Sequence, residues 1–585
     1  MNIRFAIAVA TFIAQTGCGR SGGAAAVFFE SETQGRGWRF VTGGFGPKYA
    51  FLSWVAASLL LAAPSGAQAR IINALSPSLA DVSRAIASAV DGDSVAVPAG
   101  TASWTSTLVI NKGITLIGKT TTDSVAGTAV DNTIIQDNVA RGPGGRPIIK
   151  IASALGKSYR LSGFTFAGLS TVGNRSGAVV VAGNSHAVRI DHCHWKEPLA
   201  QAIDCAINGA IYGVADHNIL EFRSKRQSFT FHADNWPDPN GKAGVFGDGS
   251  WAAPTDFGSE KFFFVEDNCI KNTTNPFREG AGSTDDRNGG RWVYRHNHCY
   301  NVEVQTHGTE TGRYRGGRAR EIYNNDFHNT TAHPVGGIRS GVTITHDNTY
   351  YGVKPPRGIV LEAYRTFFKW KSQSLPNGWG GATGDNPWDV NDTEGDGTNV
   401  PEHSPHLYES GTCSTGSNKT TIVDTTKNWP IDRWVGFTAK RVSDDQVAYI
   451  KSNTSDTLTV LFYADSGGGA VWAAGDQYQI HNCLVALDQP GRGKCDLITG
   501  TPPRNSTTGR ITWPHQALEP SYSWNDKYIP DGTSVNFQPG PGNHKLQLLG
   551  RDYYNDKPMP GYTPYTYPHP LTRGSEPPTN IPRPN

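Results

Sequence analysis

The chain has 585 residues, a formal net charge of +2 and 18% charged residues. That balance supplies no strongly basic face, so nucleic acid is excluded as an expected partner. Gly 67 and Pro 36 imply many turns and few long helices. The length would suggest about three or four domains unless the chain is a solenoid, which escapes that relation.

Two export signals compete at the N-terminus. Residues 5–14 are apolar and precede Thr16-Gly17-Cys18, but Gln15 stands where a lipid-anchoring box wants an apolar residue. The second fits better. Lys48 precedes an apolar run over 49–63, followed by Pro64-Ser65-Gly66-Ala67-Gln68-Ala69, a small-x-small cleavage site. Cleavage after Ala69 makes 1–69 a leader and signal peptide. The mature chain is then secreted or periplasmic. The run is short for a membrane span, so none is expected.

Residues 78–90 predict a short amphipathic helix. Ser78 caps it, and Leu79, Val82, Ile86 and Val90 share one face. Such a helix would cover the open first coil of a solenoid. Asp91-Gly92-Asp93 reads as a turn, and strands begin at 95–97 and 108–117.

The decisive feature is a degenerate repeat. Ile190-Asp-His-Cys193-His-Trp195, Ala215-Asp-His-Asn218-Ile-Leu220, Val265-Glu-Asp-Asn268-Cys-Ile270, Tyr294-Arg-His-Asn297-His-Cys299, Ile322-Tyr-Asn-Asn325-Asp-Phe327 and Thr345-His-Asp-Asn348-Thr-Tyr350 share one pattern. Most have an inward residue, two polar residues, an Asn or Cys, one residue, then an apolar one. Leu161-Ser-Gly-Phe164-Thr-Phe166 is the same phrase with Phe at the Asn place. The intervals between fourth positions are 29, 25, 50, 29, 28 and 23, and the 50 reads as two turns. Short strands at this period predict an all-β fold, a right-handed single-stranded parallel β-helix in which stacked coils share one core. Buried Asn side chains would hydrogen-bond along the stack. Cys193, Cys269 and Cys299 would stack as buried thiols, while Cys483 and Cys495 flank a loop and suit a disulfide.

The β-helix is expected over 70–411. Residues 377–404 are loop-like, and 412–481 reads as a small inserted β module with strands at 420–423, 447–450 and 458–462. Residues 482–585 supply final coils and a Pro-, Trp- and Tyr-rich tail that packs along the helix.

Val188-Arg-Ile-Asp191-His192-Cys193 resembles the "WIDH" strand of the pectate lyase superfamily, with Arg189 in place of Trp. Arg295-His296-Asn297 resembles its "HHN" strand, and Arg315-Gly316-Gly317 with Glu321-Ile-Tyr-Asn324-Asn325 resembles its "R-G … H-x-YNN" coil. The resemblance spans roughly 73–350. It implies β-elimination on a uronate-containing polysaccharide, with calcium holding the substrate carboxylate and an arginine taking the adjacent proton. Arg313, Arg315, Arg318 and Arg320 form the arginine cluster, one coil beyond Arg291 and Arg295. Lys225 falls near the family's substrate lysine. Asp204 matches one calcium acid, while Ala178 stands at another, and no proline lies between Arg313 and Arg320 as the family's arginine phrase requires. Asp392-Thr-Glu394-Gly-Asp396-Gly397 resembles half of a calcium loop.

A second constellation suits an inverting glycoside hydrolase. Asp285-Asp286, His307-Gly308-Thr309-Glu310 and Gly337-Ile338-Arg339 follow the loose order of polygalacturonases. A third class, a non-catalytic adhesion β-helix, would lack convergent charges. The expected site is therefore one outward ladder. Arg315, His307, Arg313, Glu310 and Asp286 do the chemistry, Arg291, Lys225 and Arg318 bind substrate, and Asp204, Asp392 and Asp396 are the metal candidates. The expected partner is a polysaccharide, bound by a monomer.

Overall fold

The computed structural model describes residues 69–140, 146–168, 177–196, 203–222, 227–233, 236, 250–251, 253–273, 282–306, 316–362, 407–435, 437–444, 446–461, 471–481, 490–493, 517–540 and 547–573. Arg70–Asn585 form one compact unit. The fold opens with the helix Leu79–Ser88, where Ser78 Oγ accepts from the Asp81 amide at 3.2 Å. Val82, Ala85 and Ile86 are its buried face. Lys112 Nζ meets the carbonyls of Ile86, Ala87 and Ala89 at 2.7 to 2.9 Å. One ammonium thus satisfies carbonyls that the helix end leaves unpaired.

Beyond the helix the chain winds as a parallel β-helix of three faces. The first face carries Tyr159–Ser162, Phe263–Glu266, Arg291–Arg295, Ala319–Tyr323 and Val342–His346. The second carries Thr165–Gly168, Cys269–Asn272, His298–Tyr300, Asp326–Asn329 and Thr349–Gly352. The third carries Ile149–Ser153, Gln227–His232, Gly282–Arg287, Glu303–Gln305, Gly336–Ile338 and Ile359–Leu361. Two long strands, Val179–Asp191 and Ile203–Asp216, run from the third face onto the first without a break. Residues alternate in and out along each strand. Inward rows such as Leu161, Ile190, Ala215, Val265, Tyr294 and Ile322 build one continuous core.

The repeated phrase marks the corner between the first and second faces. Its second polar residue takes a left-handed conformation in every coil. His192, His217, Asp267, His296, Asn324, Asp347 and Asn525 have φ of 51° to 56°. His, Asp and Asn are the side chains that tolerate this region. The next residue forms a hydrogen-bonded ladder. Asn218 Nδ2 donates to Asn268 Oδ1 at 2.9 Å, Asn268 to Asn297 at 3.0 Å, Asn297 to Asn325 at 2.9 Å and Asn325 to Asn348 at 2.9 Å. The last rung, Asn348 to Asp526 at 2.8 Å, crosses 178 residues of sequence.

Two readings of the repeat change here. Asn218 and Asn268 are adjacent rungs, and 213–216 pair directly with Phe263–Glu266. The interval of 50 is therefore one coil with an excursion over 233–262, not two turns. The three thiols also do not stack. Cys193 occupies the ladder position, whereas Cys269 pairs in register with His298 and Cys299 with Ile270. All three are buried and free. Cys483 and Cys495 lie outside the described residues.

After Ile359–Leu361 the chain departs again and rejoins the first face at Ser521–Trp524, which pairs with Val342–His346. Between them lies a six-stranded antiparallel sheet. Its strands are Leu407–Thr412, Gln477–His481, Thr438–Arg441, Val447–Asn453, Thr457–Leu461 and Thr421–Val423, in that order. Trp429, Trp434, Phe437, Ile450, Leu458 and Trp472 give it a core of its own.

The tail over 557–573 seals the outside of the first face. Arg295 and Glu266 are fully buried and meet at 2.5 Å. The Arg295 guanidinium also donates to the carbonyls of Tyr565 (2.7 Å) and Thr566 (3.0 Å), and the His569 amide donates to Glu266 at 2.8 Å. Tyr562 donates to Glu321 at 2.5 Å. An ion pair buried this way stands because every remaining donor is satisfied.

Candidate functional site

With the first face sealed by the tail, polar side chains reach half-exposed positions in coil after coil on the third face and on the second, where Lys271, Tyr300, His328 and Tyr351 form one such row. Strand register places the third-face side chains directly. Val181, Ile207 and Phe231 form an inward row, and Asp286 continues it. The outward rows lie to either side. One runs Val180, Ala206, Thr230 and Asp285, and it continues to Gln305 and Gly337. The other runs Ala182, Asn208, His232 and Arg287. Later coils add Arg339 and Glu362 to this second row, because Ile338 pairs with Leu361 just before them. Asn208, His232, Arg287, Arg339 and Glu362 are all half-buried. Rungs repeat at roughly 4.8 Å, so these side chains line one shallow groove parallel to the axis.

Within the groove Gln227 Nε2 donates to Asp285 Oδ2 at 2.6 Å, and Gln305 Nε2 donates to Glu303. Donation to a carboxylate favours its charged form. Arg339 Nε reaches Glu362 Oε2 at 3.0 Å. The groove therefore joins two guanidinium groups, an imidazole and carboxylates within a few rungs.

Of the residues expected on one outward ladder, the structure separates those it describes. Asp286 points inward and is fully buried. Arg320 grips it through Nε at 2.5 Å and Nη2 at 3.1 Å, and Trp292 Nε1 donates at 2.9 Å. Burial raises this carboxyl above its ordinary range. Gly317 lies against the pair. A Cβ there would fall 2.2 Å from the Asp286 carboxyl and the Arg320 guanidinium.

Arg291 does point outward, but it is 4% exposed. The excursion over 233–262 wraps it. Its guanidinium donates to the carbonyls of Ser250 (2.6 Å), Pro254 (2.6 Å) and Thr255 (3.0 Å) and lies 4.6 Å from the Trp236 ring. Burial, with Arg318 nearby, pushes Arg291 down to about 9. Arg318 is fully buried too, bonded to Glu519 at 2.7 Å and to the Ala253 carbonyl at 3.1 Å. Both arginines fasten excursions to the solenoid, which corrects their expected place on an open binding ladder.

Asp204 is fully buried, and its row continues as Ser228 and Ser283. That row offers calcium a single carboxylate. Among the described residues no group of three or more His, Cys, Asp or Glu side chains could hold a metal ion. His307, Glu310, Arg313, Arg315, Lys225, Asp392 and Asp396 lie outside the described residues.

The sequence reading passed over His232, Arg287 and Glu303. Parity is the reason. Gly282–Arg287 contains no apolar residue, so nothing in the stretch marks which of Asp285 and Asp286 faces the core. The aromatic pair Phe229 and Phe231, with Thr230 and His232 between and after, carried the missing signal once its register with Gly282–Arg287 is known.

These elements define the class, a parallel β-helix protein with a charged groove along one face. Among solved structures, the chain is similar to an alginate lyase from Paenibacillus sp. str. FPU-7, at 12% identity, over 50% of this chain and 97% of that one, with a TM-score of 0.30. It is also similar to ORF18 of Geobacillus virus E2, at 12% identity, over 82% of this chain and 90% of that one, with a TM-score of 0.26. No family model matches the chain, and no curated protein matches it in sequence.

Proposed function

We propose that the chain is a polysaccharide lyase acting on a uronate-containing polymer in the third-face groove. The observation that carries this reading is the in-register pair His232 and Arg287, half-buried on adjacent rungs. A linear polymer suits a groove that repeats along an axis. Arg287 would neutralise the uronate carboxylate, which acidifies the neighbouring C5 proton. His232 would take that proton, since a neutral imidazole nitrogen is a proton acceptor. The C5–H electrons form the C4–C5 double bond, the C4–O4 bond breaks, and the departing oxygen takes a proton.

Asp285 and Glu303 lie on adjacent rungs and are the observation that favours an inverting hydrolase. That mechanism needs one carboxyl protonated. Both are buried and accept from a glutamine amide, whereas His232 and Arg287 are half-buried and in register, so elimination is the better reading. Catalysis by Arg315 or His307, a calcium requirement and action as a monomer stand as further proposals of the same reading.

A polysaccharide panel read by ultraviolet absorbance and by reducing ends tests it. Elimination leaves a double bond, so both signals should rise together. Arg287→Ala and His232→Ala should each lower turnover by roughly 100-fold or more, the usual range for a charge-stabilising group or a general base. Reducing ends without absorbance, lost in Asp285→Asn, would establish hydrolysis. Binding without turnover would leave a non-catalytic surface.

A further inference from the structure

The charged part of the groove begins at His232. In the two coils before it the same face changes character. Val179–Asp191 and Ile203–Asp216 run side by side with outward positions Val180 and Ala206, Ala182 and Asn208, Asn184 and Ala210. None of these is charged, and Asp204, two residues before Ala206 on the same outward side, is fully buried. Val180, Ile203 and Ala206 form a small buried apolar cluster, with half-buried Ala182 packed against it. Gly209 lets the two backbones approach, with φ of 131° and no room for a Cβ, which would lie 1.9 Å from the Gly183 carbonyl oxygen.

An aromatic wall borders this shelf at the corner toward the first face. His186 stacks on Tyr212 at 4.3 Å and 13°, and Tyr212 leans on Trp236 at 5.8 Å. Trp236 is buried beneath Arg291, whereas Tyr212 is half-buried and His186 exposed. The wall is anchored at one end and reaches solvent at the other.

Two amide oxygens on the shelf lack donors. Asn184 Oδ1 and Asn208 Oδ1 are both buried atoms with no hydrogen-bond partner. An amide oxygen left this way normally costs free energy, and it is tolerated where a ligand or water supplies the donor. Carboxylates have no proton to give and would be repelled. Sugar hydroxyls can donate, and the C–H face of a pyranose suits the partly exposed Tyr212 and His186 rings beside half-buried Ala182.

We propose that these two coils are a subsite for an uncharged sugar, so that the substrate is a heteropolysaccharide that carries both neutral units and uronate. This rests on the lyase reading for the uronate end. Asn208 lies two rungs from Arg287, roughly 10 Å along the axis, so one chain can engage both.

Affinity electrophoresis of the full chain tests it independently of turnover. The probes are gellan, which mixes uronate with neutral sugars, and polygalacturonate, which is uronate throughout. The wild type should be retarded more strongly by gellan. Asn208→Ala should weaken gellan binding about fivefold, the worth of one neutral hydrogen bond, and Tyr212→Ala by a similar factor. Both variants should weaken gellan binding by a larger factor than polygalacturonate binding and keep the wild-type circular dichroism. Arg287→Ala should weaken both polymers, increasingly so at low salt. The proposal is overturned if polygalacturonate binds as tightly as gellan, or if the Asn208→Ala, Tyr212→Ala double variant keeps the gellan preference. Loss of uronate binding in Arg287→Ala, with or without that preference, reports on the lyase reading separately.

Discussion

Asp526 closes the asparagine ladder with a carboxyl where each earlier rung from Asn218 has an amide. It accepts from Asn348 Nδ2 at 2.8 Å, from the Asn348 amide at 2.9 Å and from Thr345 Oγ1 at 2.7 Å, and it is almost fully buried. Burial raises it to about 7. Its ordinary value is about 3.9, so the folded state holds a proton that the unfolded state has released between pH 4 and 7. The resulting stabilisation is complete below about pH 4 and is lost as pH rises through about 7. Glu321, raised to about 7 by burial beneath Tyr562, acts in the same window and with the same sign. Asp526→Asn should therefore melt higher than the wild type at pH 8 and close to it at pH 4. An unchanged pH slope in the variant would show that the ladder's end does not control it. At this scale the sequence told much. The His, Asp and Asn residues of the corner phrase are there because they accept positive φ, and the ladder asparagines because each amide donates to the next rung. The inward turn of Asp286 and the carbonyl cage around Arg291 were not legible. The cage comes from a backbone segment about 40 residues earlier, and no local pattern records it.

Among the elements, the two long departures share one corner, between the third face and the first. The excursion over 233–262 and the one following Ile359–Leu361 both leave there, and Arg291 and Arg318 pin them. Spacing alone could not separate a skipped phrase from an excursion, which is why 50 residues read as two coils. The antiparallel sheet within the later departure holds three buried tryptophans, Trp429, Trp434 and Trp472. Deleting 407–481, the whole antiparallel sheet, and bridging the ends should leave cooperative melting and the far-ultraviolet β signal of the solenoid largely intact, because stacked coils depend on their neighbours. Loss of cooperative folding would show that the sheet is part of the solenoid's stability. Exposed strands at its boundary make the bridging linker matter, so a Gly/Ser segment is the suitable choice.

For the molecule as a whole, export is proposed from residues 48–69. Mature protein recovered outside the cytoplasm should begin near Arg70, and an intact Met1 on such material would overturn it. By itself the sequence determined the architecture. A short phrase recurring every 23 to 29 residues cannot bury its apolar side alone, and only stacked coils satisfy it. The cap helix and the corner ladder were legible for the same reason, since each is written in local residue types. Only the tertiary structure decided which face is open. In the tail, Tyr562 and Tyr565 lie 241 and 270 residues after Glu321 and Arg295 in sequence, yet they close the first face over them. Strand register, set by packing across coils, then set which third-face side chains point out. It turned Asp286 into the core and aligned His232 with Arg287 outside, because a residue's side of the sheet depends on parity with neighbours that the chain reaches only after a full turn.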